Sequence, residues 1–439
     1  MRRTLPHPAA VPARRPRTAR ARAVAIAPTI LAAFGLLGAC SQLDAPGPGT
    51  SSVPVAAVTS TPGTPTPNPP APSTALNDVG ATLPGPYAFD GPGALSAEAR
   101  HARTLVYVPN QLAGTVQIID PTRHAVIATY RVPASPEHVV PSHDLRTLWV
   151  NSDAGNSMLP IDPRTGRPGR ARPVRDPYNL YFTPDGRYAL VMAERLKRVD
   201  VRDAHTMALV RSLHIPCAGI NHADYTADLS TLLVSCEFSG KLAVVDTTAT
   251  RVIRMVDLNR IRTPGATPPA RAMRMGGPAA NLGPRTSSMP QDVRLSPDGR
   301  WLLVADMLRN GVWVIDAHTF QVARFVPTGR GAHGIYLSRD ASRIFVSNRD
   351  EGSISVLDGS TVRPVAKWRI PGGGSPDMGG VTADGHELWL SGRYNSTVYV
   401  VDTTTGRVTH RIPVRPGPHG LLVWPQPGRF SLGHTGNMR

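Results

Sequence analysis

Gly334-Ile335-Tyr336-Leu337-Ser338, Arg343-Ile344-Phe345-Val346-Ser347-Asn348 and Gly352-Ser353-Ile354-Ser355-Val356-Leu357-Asp358 stand one behind another, with a turn at Arg339-Asp340 after the first. Short runs rich in β-branched and aromatic residues, bounded by Gly, Asp and Ser, read as strands joined by tight turns. A fourth run covers Val365 to Ile370, and Pro371 followed by three glycines opens the next unit. The same unit recurs every 40–45 residues or so from Thr104 onward, a period that belongs to propeller blades.

The second strand of the unit returns at Leu105–Pro109, Leu148–Asn151, Ala189–Met192, Leu232–Cys236, Leu302–Asp306, Ile344–Asn348 and Leu388–Gly392. The third ends each time in an aspartate: Asp120, Asp162, Asp200, Asp246, Asp316, Asp358 and Asp402. An aspartate there accepts backbone N–H bonds from the turn that follows, so these seven are read as structural. Inner strands begin near Val139, Leu180, Ala223, Val293, Ile335, Gly379 and Leu421. The first second strand precedes any inner strand, so one blade must join N-terminal strands to the inner strand at Leu421, closing the ring and removing its open edges. The expected fold is an all-β, seven-bladed β-propeller over residues 85–439. The 45 prolines and 40 glycines punctuate the chain as such short strands require.

The phrases Val106-Tyr107-Val108-Pro109-Asn110, Phe345-Val346-Ser347-Asn348 and Leu295-Ser296-Pro297-Asp298-Gly299 resemble those of the YVTN-repeat, YncE-like β-propellers. The resemblance implies the fold and leaves the activity open, because this architecture hosts many unrelated functions.

Residues 1–39 carry seven arginines and no acid, then an apolar run from Ala23 to Leu37 too short for a comfortable membrane span. Leu37-Gly38-Ala39-Cys40 resembles the lipobox of bacterial lipoproteins, which implies a signal peptide over 1–39, cleavage before Cys40 and lipidation of its sulfur. Residues 40–84, dominated by Pro, Thr, Ser, Gly and Ala, read as a tether. The expected location is the bacterial envelope, exported and anchored through the lipid. The net charge of +17 is nearly all arginine. A nucleic acid or other polyanion is therefore a secondary partner, behind an envelope protein or small ligand, and the chain is expected to be a monomer.

The loops entering the inner strands emerge at one face of a propeller, around the channel. Alignment of the repeats puts two adjacent polar columns there. From them we take Glu137, His138, Asn179, His222, Asp292, His333, Asp377 and His419 as the ligand-binding set. His138, His222, His333 and His419 come from four blades to one rim. They are read first as loop caps and second as ligands for zinc, copper or iron, since they fall in two columns. No metal or cofactor is assigned. His434, in the run beyond the closing strand, is a secondary candidate.

Cys217 and Cys236 are expected to form a disulfide in an exported chain; the alternative is a Cys-Cys-His site with His222. Residues 259–289 form a long loop above the channel mouth, a disordered insertion or a lid whose arginines would meet an anion and whose Met273 and Met275 would offer thioethers to copper. The GxGxxG match at residues 329–334 leads into a strand and is discounted. Nucleophile-elbow, HExxH, Walker and CxxCH sequences are absent. The first reading is therefore an envelope binding or scaffold protein that uses the channel-mouth face. The second is a metal- or redox-cofactor-dependent envelope oxidoreductase or its subunit, and the third, by fold analogy alone, a lactone hydrolase.

Overall fold

The computed structural model describes residues 85–262 and 286–439. The expected signal peptide, Cys40, the expected tether and residues 263–285 of the long loop lie outside them. Seven antiparallel sheets form the described part, six of four strands and one of five. The inner strand Leu422–Trp424 pairs with Leu105–Asn110, so Trp424 faces Leu105 and Leu422 faces Tyr107. This junction closes the ring as the repeat count requires. Among the described residues no helix is long and apolar enough to cross a membrane.

Burial follows strand position. The inner strand Pro136–Pro141 is buried at every residue, whereas the outermost strand Ala125–Arg131 alternates exposed and half-buried side chains. Inner strands are covered on both faces by neighbouring blades and read as continuous apolar runs; outer ones are wet on one side. Between blades lie apolar clusters such as Leu302, Val304, Trp313 and Ile315 packed on Leu242 and Val244. The outer edge of the second blade is split into Arg167–Pro168 and Arg172–Pro173, where the prolines cannot continue a ladder.

The turn aspartates behave as expected. Asp358 accepts N–H bonds from Ser360 (3.1 Å) and Thr361 (2.8 Å), and Asp402 does so from Thr404 and Thr405. One position was misread. Asp200 lies within the strand Arg198–Asp203, buried between Arg198 (2.8 Å) and Arg202 (3.2 Å), and Asp203 is the turn aspartate, accepting from Thr206 at 2.7 Å. Alternation of charge along this strand disguised its end.

Cys217 and Cys236 form the disulfide, with Cα atoms 6.0 Å apart. The Cys-Cys-His222 alternative is thereby removed, because neither sulfur remains a thiolate.

Candidate functional site

The inner strands start earlier than the apolar pattern suggests, at Pro136, Asn179, Ile220, Pro290, Ala332 and Pro376. All of these but the strand from Asn179 carry a β-bulge in their first residues. Register shifts between Ile220 and Ala223, Pro290 and Val293, Ala332 and Ile335, and Pro376 and Gly379 set two residues against one on the neighbouring strand. In the fourth blade Asn221 and His222 thus face Ser235, whose hydroxyl bonds the Asn221 Oδ1 (2.8 Å) and accepts from the His222 N–H (3.2 Å). Ser347 and Ser391 accept from Gly334 and Met378 in the same way. A bulge re-aims side chains. It lets residues of two adjacent columns turn toward the channel, which removes the objection that the histidines do not share one column.

Five imidazoles meet there. Residues 431–439 run inside the channel: the His434 N–H bonds the Leu180 carbonyl (2.9 Å), Asn437 reaches the Ala223 carbonyl (3.2 Å) and Arg439 reaches Asp224 (2.9 Å). His434, a secondary candidate from sequence, therefore joins His138 and His222. Ring centroids stand 5.4 Å apart for His138–His222 and for His138–His434, and 5.0 Å for His222–His434. The ligating atoms of these three lie within 4.8 Å of one another, as do those of a second group, His333, Asp377 and His419. All six side chains are at most 2% exposed.

Hydrogen bonds fix what each ring offers. His138 gives its Nδ1–H to the Tyr178 carbonyl (3.0 Å), and His222 gives its own to Asn221 Oδ1 (3.1 Å). Asn221 is held in that orientation because its amide donates to Glu237 (2.5 Å) and Glu194 (3.4 Å). In both histidines Nε2 then carries the lone pair, and neither Nε2 has a hydrogen-bond partner. His434 differs. Asn179 Oδ1 is occupied by the Leu180 N–H (2.9 Å), so its amide donates to His434 Nδ1 (3.0 Å), and the ring proton sits on Nε2. That Nε2 lies 3.4 Å from Asp292 Oδ1 without forming a hydrogen bond.

Burial dominates the electrostatics. It pushes His138 down to about 3 and holds His222, His333, His419 and His434 well below the usual imidazole range. The rings are thus neutral near pH 7, and His138 and His222 keep their Nε2 lone pairs free for a metal. Burial also raises Glu137 to about 7 and Asp292 to about 6, opposed by Arg393 and Arg294 respectively.

A further ring of residues escaped the sequence reading. Asp153, Glu194 and Glu237 each follow a second strand in blades two to four; Arg349 and Arg393 do so in blades six and seven. The mouth is acidic on one side and basic on the other. Alignment on the last residue of each second strand would have found the column. Arg349 forks onto Asp377 (2.8 and 2.6 Å), and Arg393 stands 3.6 Å from Glu137. At the opposite end, Tyr87, Asp90, Arg294 and Arg339 line a cavity of about 30 Å³ beside Thr435. It has room for little more than a water, and none of the five histidines lines it.

The description YNCE-like beta-propeller matches residues 79–212 and 271–428, more than half of the chain. The chain belongs to the YncE-like β-propeller family. This YncE-like propeller is 22% identical over 389 residues to the dihydro-heme d1 dehydrogenase of Pseudomonas aeruginosa strain PAO1, covering 73% of this chain and 76% of that one. It also resembles in fold a chain of Kuenenia stuttgartiensis hydrazine synthase (TM-score 0.54, 16% identity, 75% of this chain and 99% of that one). A functionally unknown protein from Desulfotomaculum acetoxidans is similar as well (TM-score 0.57, 14% identity, 73% and 99%). At such identities the solved structures bear on the fold alone.

Proposed function

We propose that this YncE-like propeller is an exported, lipid-anchored metal-binding protein that holds a transition-metal ion in its channel mouth on His138, His222 and His434. One observation carries the reading: three buried imidazoles have Nε2 atoms without hydrogen-bond partners and ligating atoms within 4.8 Å of one another. A buried lone pair left unpaired costs roughly 1–3 kcal/mol, so the free Nε2 atoms of His138 and His222 ask for an occupant, and His434 joins them once its Nε2 proton leaves. Ligands around a four-coordinate ion at 2.0–2.1 Å stand about 3.4 Å apart, which the rings reach by turning inward by less than ~1 Å. Asp292 is the neighbouring carboxylate for a fourth position. Imidazole donors suit zinc, copper and iron. The Tyr178 carbonyl and the Asn221 amide supply the outer hydrogen bonds that orient metal-bound histidines. The envelope placement is supported by the Leu37–Cys40 lipobox and the tether that follows.

Titration of metal-stripped protein with Zn²⁺ or Cu²⁺ tests the reading. Tight uptake in the native protein, weakened at least tenfold by His222→Gln at an unchanged circular dichroism spectrum, is expected; no uptake by the native protein would overturn it. A redox role at the same ion is the second reading, favoured by the relative named for a dehydrogenase. A reversible, metal-dependent absorption change on reduction supports it, and a spectrum unaffected by reductant counts against it.

A further inference from the structure

The ligand set of His138, His222 and His434 leaves a second group of buried acceptors unexplained. His419 gives its Nδ1–H to Glu137 Oε2 at 2.9 Å, so its Nε2 bears a lone pair. That Nε2 points at Asp377 Oδ2, 3.7 Å away, and neither atom has a hydrogen-bond partner. Two acceptors facing each other in a buried site repel; only a proton or a cation between them relieves the contact. A cation satisfies both lone pairs at once, and imidazole with carboxylate is a donor set that divalent transition metals accept. Asp377 Oδ1 is already taken by Arg349 at 2.6 Å, and His333 Nδ1, 3.1 Å from the same oxygen, bonds Met378 Sδ at 3.0 Å. The other Asp377 oxygen is left for a different partner. His333, donating through Nδ1, keeps Nε2 as an acceptor.

We infer that His333, Asp377 and His419 hold a second divalent transition-metal ion, making the channel mouth a two-metal centre. The inference rests on the reading of the first three histidines as a metal site. Glu137 behind His419 completes a carboxylate–histidine pair of the kind that raises ligand basicity at metal sites. His138 and His419 rings stand 4.8 Å apart and those of His222 and His333 6.0 Å, so both ions would occupy one compartment. The carboxylates of the second group are each partly neutralised by a guanidinium, Glu137 by Arg393 and Asp377 by Arg349.

Counting ions decides the matter. Full-length protein is stripped, loaded with Cu²⁺, desalted and assayed for copper per chain, with electron paramagnetic resonance on the same sample. Two ions per chain are expected, with a spin-integrated signal below the copper content because the ions couple, and one ion in His419→Gln. A single ion per chain in native protein, kept in His419→Gln and lost in His222→Gln, overturns the second site and leaves the first standing. No copper in native protein overturns both. The count in native protein needs no variant to fold, and a melting curve checks His419→Gln.

Discussion

Which ring nitrogen carries the proton decides what each histidine at the mouth can do. His138 and His222 are preset as acceptors at Nε2 by the Tyr178 carbonyl and the Asn221 amide. His434 is not, because Asn179 donates to its Nδ1. For Nε2 of His434 to ligate an ion, the proton must move to Nδ1 and find an acceptor there. Asn179→Asp provides one, with one oxygen still free for the Leu180 N–H. Outer partners of metal-bound histidines are worth ten- to a hundredfold in affinity. Asn179→Asp should thus tighten metal binding by about tenfold in a competition titration; unchanged or weaker binding would remove His434 from the ligand set.

The same residues predict a pH profile. A histidine lowered from 6.5 to about 3 takes stability away as pH falls through that window, since the unfolded chain binds a proton that the native one refuses. Glu137, raised from 4.5 to about 7, and Asp292 and Asp90, raised from 3.8 to about 6, act in the opposite sense. The two effects offset each other down to the ordinary carboxyl range. Below it the raised carboxyls are protonated in both states, and the histidines act together with turn aspartates held below the usual carboxylate range by their hydrogen bonds, such as Asp358 and Asp402. The melting temperature of stripped protein should change little from pH 7 to 5 and drop steeply from 4.5 to 3. A decline that sets in at pH 6.5 would show that the carboxylates do not offset the rings.

At the scale of the strand, the bulge is the device that builds the site. Its signature in sequence is faint: a polar pair such as Asn221-His222 before the apolar run, and a small residue, Ser235, Ser347 or Ser391, on the neighbouring strand. The repeat itself was easy to read because seven copies of one pattern reinforce each other. The bulge was not, since it shifts register by one residue and leaves composition unchanged. For that reason five of the seven inner strands begin three residues before the apolar run that marks them in sequence, and the histidines fall in two columns of the repeat. The disulfide was legible, as export and a pair of cysteines suffice to suggest it. It closes a loop of sequence separation 19, worth roughly 3 kcal/mol in the chain-entropy model, and joins the start of one inner strand to the end of its neighbour. Cys217→Ser with Cys236→Ser should lower stability to denaturant by up to that amount while leaving the propeller folded. An unchanged midpoint would mean that the paired strands already impose the constraint.

For the whole molecule, the ring and its closure followed from counting strands, whereas the occupant of the channel did not. Residues 431–439 pair with inner strands of blades three and four and carry His434 to within 5.0 Å, ring to ring, of His222. Nothing in their composition, glycine and polar residues with little periodicity, distinguishes a channel lining from a loose end; only the closed ring shows what they fill. Long-range placement of this kind is set by tertiary contacts that a local pattern does not encode. The propeller thus supplies a rigid wall of strands, bulges aim His138, His222 and His333, the run before the closing strand brings His419, and the final segment adds a fifth imidazole. Anomalous X-ray scattering from crystals of metal-loaded protein, recorded at the absorption edge of the bound metal, tests this arrangement most directly. The account predicts a peak in the channel mouth at about 2.0–2.1 Å from Nε2 of His138 and His222. A metal-loaded crystal with no anomalous density among those rings, or with the ion held elsewhere on the surface, would contradict it.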